Sequence, residues 1–185
     1  MNNLQPATLM MPVIAFILVF VFYFSLRNKE PDKKALKHFI YTVTVLAFLL
    51  NFFWEILQMP MYKSGDYNFQ GIAFCTLATV VDAIMVILLY LCFALIYSES
   101  MWVRHFRFFR VVSVMLIGAT GAIVIEIMYL SSGSWAYDQS MPIIPVLNVG
   151  LSPVLQFTVL PVIIYYLSFQ ILKYSDKQRK IFGYH

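Results

Sequence analysis

Apolar residues run along this chain in five long blocks, at about 8–26, 38–59, 72–97, 111–130 and 152–172, each close to the length of helix that crosses a hydrocarbon core. Short polar stretches separate them, so the pattern predicts five membrane-spanning helices with no room for a soluble domain between them. Residues 1–185 are expected to form one membrane domain, an all-α five-helix bundle. Only the segment 131–150 is a longer connection. Its Pro142 and Pro145 stop a helix, while Met141, Ile143, Ile144, Val146 and Leu147 are too apolar for a loop standing free in water. That combination predicts a lid folded back over the helix ends, because non-helical backbone at membrane depth must be covered by protein.

Composition agrees. Of 185 residues, 61% are hydrophobic and 12% charged, against about 25% charged in an ordinary soluble domain. The bases set the topology: Arg27, Lys29, Lys33, Lys34 and Lys37 follow the first block, Arg104, Arg107 and Arg110 the third, and Lys173, Lys177, Arg179 and Lys180 the fifth. Of the 13 Lys and Arg residues, only Lys63 falls on the other side, which predicts an outside N-terminus and a cytoplasmic C-terminus. The net charge of +4 then reflects loops that meet anionic headgroups. No basic stripe interleaved with aromatics lies outside those loops, so no nucleic-acid partner is expected. Met1–Thr8 carries no base and no Ala-x-Ala site follows, so the first block is read as a retained span rather than a signal peptide.

Against this background three acids stand out. Glu55, Asp82 and Glu126 lie inside apolar blocks that contain no Lys or Arg, and ionisable groups at membrane depth mark functional sites. Asn51, Glu55 and Gln58 share one face of the second helix, and Thr76, Thr79 and Asp82 one face of the third. Gly118, Ala122 and Glu126 are four apart, so Glu126 continues a small-residue stripe and should face protein. Counted by depth, Glu55 and Glu126 flank an outer mouth with Asp82 below them. Gln156 lies one turn into the fifth helix, and Pro161 is expected to kink it. Trp54, Trp135, Tyr62, Tyr67 and Tyr137 near the outer boundary fit an aromatic belt or a ligand cage, and Trp102, Phe106, Phe108 and Phe109 fit a belt on the other side. Asn148 and Gln156 fit either bonding between helices or a ligand. Helices two and four also share a short pattern, Glu55-Ile56 then Met59-Pro60 and Tyr62, against Glu126-Ile127 then Tyr137 and Met141-Pro142, as a parallel duplication would leave.

The candidate site is therefore Glu55, Asp82 and Glu126 as acids, with Asn51, Trp54, Gln58, Thr79, Tyr129, Trp135, Tyr137, Asn148 and Gln156 around a membrane lipid or lipophilic small molecule. No metal or cofactor is expected. His38, His105 and His185 lie at helix ends or in the tail and supply no axial pair for a haem, and Cys75 and Cys92, about 25 Å apart on one helix, cannot pair. Carboxyls in a low-dielectric site persist as neutral acids and can donate a proton. Two uses follow: protonation of an alkene or epoxide, with aromatic faces stabilising the carbocation, or transport of protons or cations. A non-catalytic accessory subunit is the third reading. The enzyme reading predicts an apolar chamber open sideways to lipid, and the transport reading a polar path to the cytoplasmic side.

Asn51-Phe52-Phe53-Trp54-Glu55 resembles the Asn-x-x-Trp-Glu stretch of the small integral-membrane terpene cyclases of meroterpenoid and indole-diterpene pathways. Trp135-x-Tyr137, following Glu126, is more loosely similar to the membrane lycopene-cyclase domain. The resemblance implies acid-initiated cyclisation or isomerisation of an isoprenoid or other polyene, with Glu55 as proton donor. The chain departs from those cyclases in having fewer helices and in lacking an acidic pair after Pro142 and Pro145. It also resembles small bacterial membrane proteins, which implies a plasma (inner) membrane location.

Overall fold

The computed structural model describes residues 6–63 and 65–182. Five long helices dominate it: α1 (Pro6–Lys29), α2 (Lys33–Gln58), α3 (Phe69–Ile96), α4 (Phe108–Ser131) and α5 (Leu151–Phe182). All five are long and apolar enough to span a membrane, so the protein is an integral membrane protein in class. Capping side chains define two of the starts: Asp32 accepts from the Ala35 amide at 2.9 Å, and Asn68 from the Gly71 amide at 2.8 Å. Helix α5 runs on past the apolar block, because the sequence after Leu172 is polar but still helix-forming. His185 lies outside the described residues, as do the side chains of Arg179 and Lys180.

Helix α2 is central, packed on α3 and α5; α1 lies against α3, and α4 against α5. Helices α3 and α4 meet more loosely, with Leu89 of α3 reaching toward Gly118 of α4. Helix α4 turns Val114, Gly118, Ala122 and Glu126 inward, as the stripe predicts. A single contact explains how closely α4 can approach α5. Pro161 lies inside α5 without ending it and has no N–H for the Phe157 carbonyl one turn earlier. Opposite that carbonyl stands Gly118, and a Cβ there would lie 2.1 Å from the Phe157 oxygen. A bare Cα fits, and its C–H partly compensates the carbonyl for the missing donor.

The half of the bundle away from the acids holds a buried aromatic layer. Phe39, Tyr90, Trp102 and Tyr165 are all fully buried. Trp102 stacks on Tyr90 with ring centroids 5.2 Å apart and donates from Nε1 to the Tyr90 carbonyl at 3.2 Å. Tyr90 donates to the Ser100 carbonyl at 2.8 Å, and Tyr165 to the Val86 carbonyl at 2.6 Å. Trp102 is thus a core residue and not the belt residue expected of it, because the loop after α3 folds under the bundle through a 3-10 turn, Trp102–His105. Phe108 and Phe109 do face outward, at 74% and 82% exposure.

Gly118→Val should cost about 1–3 kcal/mol by overpacking, read as a lower unfolding temperature in detergent. Gly121→Ala, where a Cβ meets nothing within 4 Å, should stay within about 0.5 kcal/mol of the parent.

Candidate functional site

Helices α2, α3 and α5 each bring one polar face to a common point. Gln156 Nε2 stands 2.9 Å from Asn51 Oδ1, 3.0 Å from Asp82 Oδ2 and 3.3 Å from Glu55 Oε1, so its two amide hydrogens are shared among three acceptors. Gln58 Nε2 donates to Glu55 Oε1 at 2.6 Å and to Gln156 Oε1 at 3.1 Å. Ser152 donates to Gln58 Oε1 at 2.8 Å and accepts from Trp54 Nε1 at 3.2 Å. Glu55 and Asp82 thus share the Gln156 amide as a common donor, which gathers carboxyls from two helices at one neutral group. The ion pairs among the described residues use Glu99, with His105 and Arg110, and leave these acids to neutral amides.

The depth expectation set Glu55 and Glu126 at the mouth with Asp82 below; the hydrogen bonds join Glu55 to Asp82 through Gln156, while Glu126 bonds elsewhere. Cys75 Sγ stands 3.8 Å from the Glu55 carbonyl, and Asp82 follows two turns, about 10 Å, further along α3, so Asp82 lies below Glu55 and the two side chains reach toward each other at the Gln156 amide. Asp82 and Glu55 are both half-buried. Thr79 is buried nearby, but its hydroxyl donates to the Cys75 carbonyl at 2.8 Å, within its own helix.

Glu126 builds a second centre. It is buried, and its Oε2 accepts from the Tyr137 hydroxyl and from Trp135 Nε1, the latter at 3.3 Å. Tyr137 in turn accepts from the Gly150 amide at 2.8 Å. Tyr129 stacks on Trp135 with centroids 4.4 Å apart. The loop that supplies these groups is clasped to the α2–α3 loop: Tyr62 and Tyr137 form an antiparallel bridge, Lys63 N donates to the Ala136 carbonyl at 3.0 Å, and Asp138 N to the Met61 carbonyl at 2.9 Å. The tyrosines paired in the short repeated pattern are thus bridge partners. The Tyr62 ring lies 5.6 Å from that of Tyr137 and 6.3 Å from that of Trp135, which puts it at the junction of the two centres.

Residues 131–150 therefore cover Glu126, but only in part as expected. Strands β1 (Ile143–Ile144) and β2 (Val149–Gly150) form a hairpin that buries Met141 and Val149. Its outer side chains, Ile143, Val146 and Leu147, are exposed, Val146 at 94%, since so narrow a hairpin can turn only one face inward. Val146 and Asn148 have φ of 73° and 55°. Asn148 is a turn residue, exposed and apart from the acids.

Of the expected site residues, the structure brings Asn51, Trp54, Glu55, Gln58, Asp82 and Gln156 into one network and Glu126, Tyr129, Trp135 and Tyr137 into another. Ser152 was not foreseen, although it lies four residues before Gln156 on the same helical face. Tyr62 was assigned only to a boundary aromatic. No trio of His, Cys, Asp or Glu among the described residues is spaced to hold a metal ion. Compared with known proteins, the chain matches no family model, no curated protein and no solved structure.

Burial first, then the charges of Glu126 and Glu55, hold the Tyr62 phenol above its ordinary range. Burial and the bond to Glu126 do the same for Tyr137. Above about pH 10, where a free tyrosine ionises, the unfolded chain releases phenolic protons that the folded chain keeps, so stability must fall as pH rises. Unfolding temperatures measured from pH 9 to 11.5 should decline above about pH 10, and less steeply in Tyr62→Phe; an equal slope in both would show that Tyr62 is not buried as described.

Proposed function

We propose that the protein is an intramembrane acid–base enzyme that isomerises or cyclises an isoprenoid or similar polyene lipid. The observation that carries this reading is the pair of carboxyls, Glu55 and Asp82, gathered on the neutral Gln156 amide within apolar, membrane-long helices. Such a pair keeps a transferable proton without a counter-ion. In the reaction, the pair gives its proton to a carbon of an alkene, or to the oxygen of an epoxide whose C–O bond then breaks, and the new carbocation is stabilised by the faces of Tyr62, Trp135 and Tyr137. Glu126 accepts a proton from a neighbouring carbon, restoring a double bond. Substrate and product differ by no atoms, and the proton returns from Glu126 to the pair through Tyr137, Tyr62 or water.

A lipid would enter from the side between Asp82 of α3 and Glu126 of α4, whose helices meet more loosely than α2 and α3 or α4 and α5. Against transport stands the buried layer of Phe39, Tyr90, Trp102 and Tyr165, which leaves little for a polar path to follow. The bases favour an orientation with the acids toward the outer leaflet and the basic loops in the cytoplasm of a bacterial plasma membrane.

Lipid extraction and mass spectrometry of the purified protein test the reading. A bound polyene should be recovered as product from the parent chain and as its unreacted isomer from Glu55→Gln and from Asp82→Asn, with turnover lowered about 100-fold or more, the scale of a lost general acid. The same isomer from all three proteins, or acid-dependent ion flux in liposomes, would overturn it.

A further inference from the structure

At the end opposite the acids two cavities open, and their linings differ in charge. One, of about 290 Å³, sets Lys29 against Glu30 and Glu99. The other, of about 500 Å³, is lined by Lys34, Lys37 and His38 with Tyr41, against Asp32 alone. Asp32 is already engaged, accepting from the Ala35 amide at 2.9 Å as the cap of α2. Neither lysine takes part in an ion pair among the described residues. The first cavity is therefore balanced or acidic, and the second carries spare positive charge beside a helix N-terminus.

Spacing gives the second cavity a shape as well as a sign. Positions 34, 37, 38 and 41 fall on one face over the first two turns of α2, a stretch of about 10 Å. Along it the lining changes from ammonium and imidazole to the Tyr41 ring, which is 67% exposed, while the buried side chain of Leu172 from α5 forms the wall. A charged rim followed by an aromatic and an aliphatic wall, at the end of two membrane-long helices, matches the headgroup and first acyl carbons of a phospholipid. A free phosphate would leave the apolar wall unused.

We propose that this groove between α2 and α5 is a binding site for an anionic glycerophospholipid, with Lys34, Lys37 and His38 on the phosphate and Tyr41 and Leu172 against the lipid's glycerol and upper chain. The site stands apart from the proposed catalytic centres and holds whether or not that chemistry is correct. It makes the basic end a specific lipid contact rather than a diffuse charged collar.

Native mass spectrometry of the full chain, titrated with dioleoylphosphatidylglycerol or dioleoylphosphatidylcholine, tests this. The first phosphatidylglycerol should bind about tenfold more tightly than phosphatidylcholine. Lys34→Gln with Lys37→Gln should bring the two lipids within about twofold, while Lys29→Gln, in the other cavity, should leave the preference intact. Equal binding of the two lipids, an equal loss in Lys29→Gln, or displacement by millimolar inorganic phosphate would overturn the proposal. Amine acetylation of the parent chain gives an answer that does not depend on the variants folding. Phosphatidylglycerol should slow acetylation of Lys34 and Lys37 relative to Lys29; uniform protection of all three would count against the site.

Discussion

One side-chain amide ties three helices together. Gln156 stands within hydrogen-bonding distance of Asn51, Asp82 and Glu55, so α5 meets α2 and α3 through a single two-hydrogen donor at a depth where water does not compensate. Buried polar groups of this kind are stable only when fully connected. The network meets that demand by recruiting Gln58 and Ser152 behind the carboxyls. Removing one member strands its neighbours, which is why the polar face of α2 cannot be separated from those of α3 and α5.

The second acid centre obeys a different constraint. Glu126 is held by side chains from a loop, and that loop is ordered by backbone pairing with another loop rather than by a helix. Two short connections that would each be unsatisfied alone share their amides and carbonyls across Tyr62 and Tyr137. The strain of a β-branched residue in the left-handed region at Val146 is confined to the hairpin tip, away from the acids.

Much of this was legible in the residues alone. Apolar block lengths placed all five helices, and four-residue spacing placed Glu126 on the buried face of α4. Spacing also put Asn51, Glu55 and Gln58 on one face. Depth counting set Asp82 below Glu55 but could not reveal that one Gln156 amide reaches both, because that depends on how α5 packs against α2 and α3. Trp102 was misread for a related reason: a tryptophan in a basic loop has the composition of a belt residue, and only the fold-back of that loop buries it. Ser152 carried a readable signal in its spacing from Gln156, whereas the place of Tyr62 depends on which two loops pair.

The aromatic layer around Trp102 has a further meaning for a protein with acids at one end. Tyr90, Trp102 and Tyr165 satisfy their polar atoms on nearby backbone carbonyls, and beside them the buried Ser168 hydroxyl, one turn beyond Tyr165, is left without a partner among the described residues. The buried aromatic layer stands between the polar cluster of α2, α3 and α5 and the basic loops at the other end. The fold is thereby two-ended, with amide-bound acids at one end and basic loops at the other, and no ion pair among the described residues joins them.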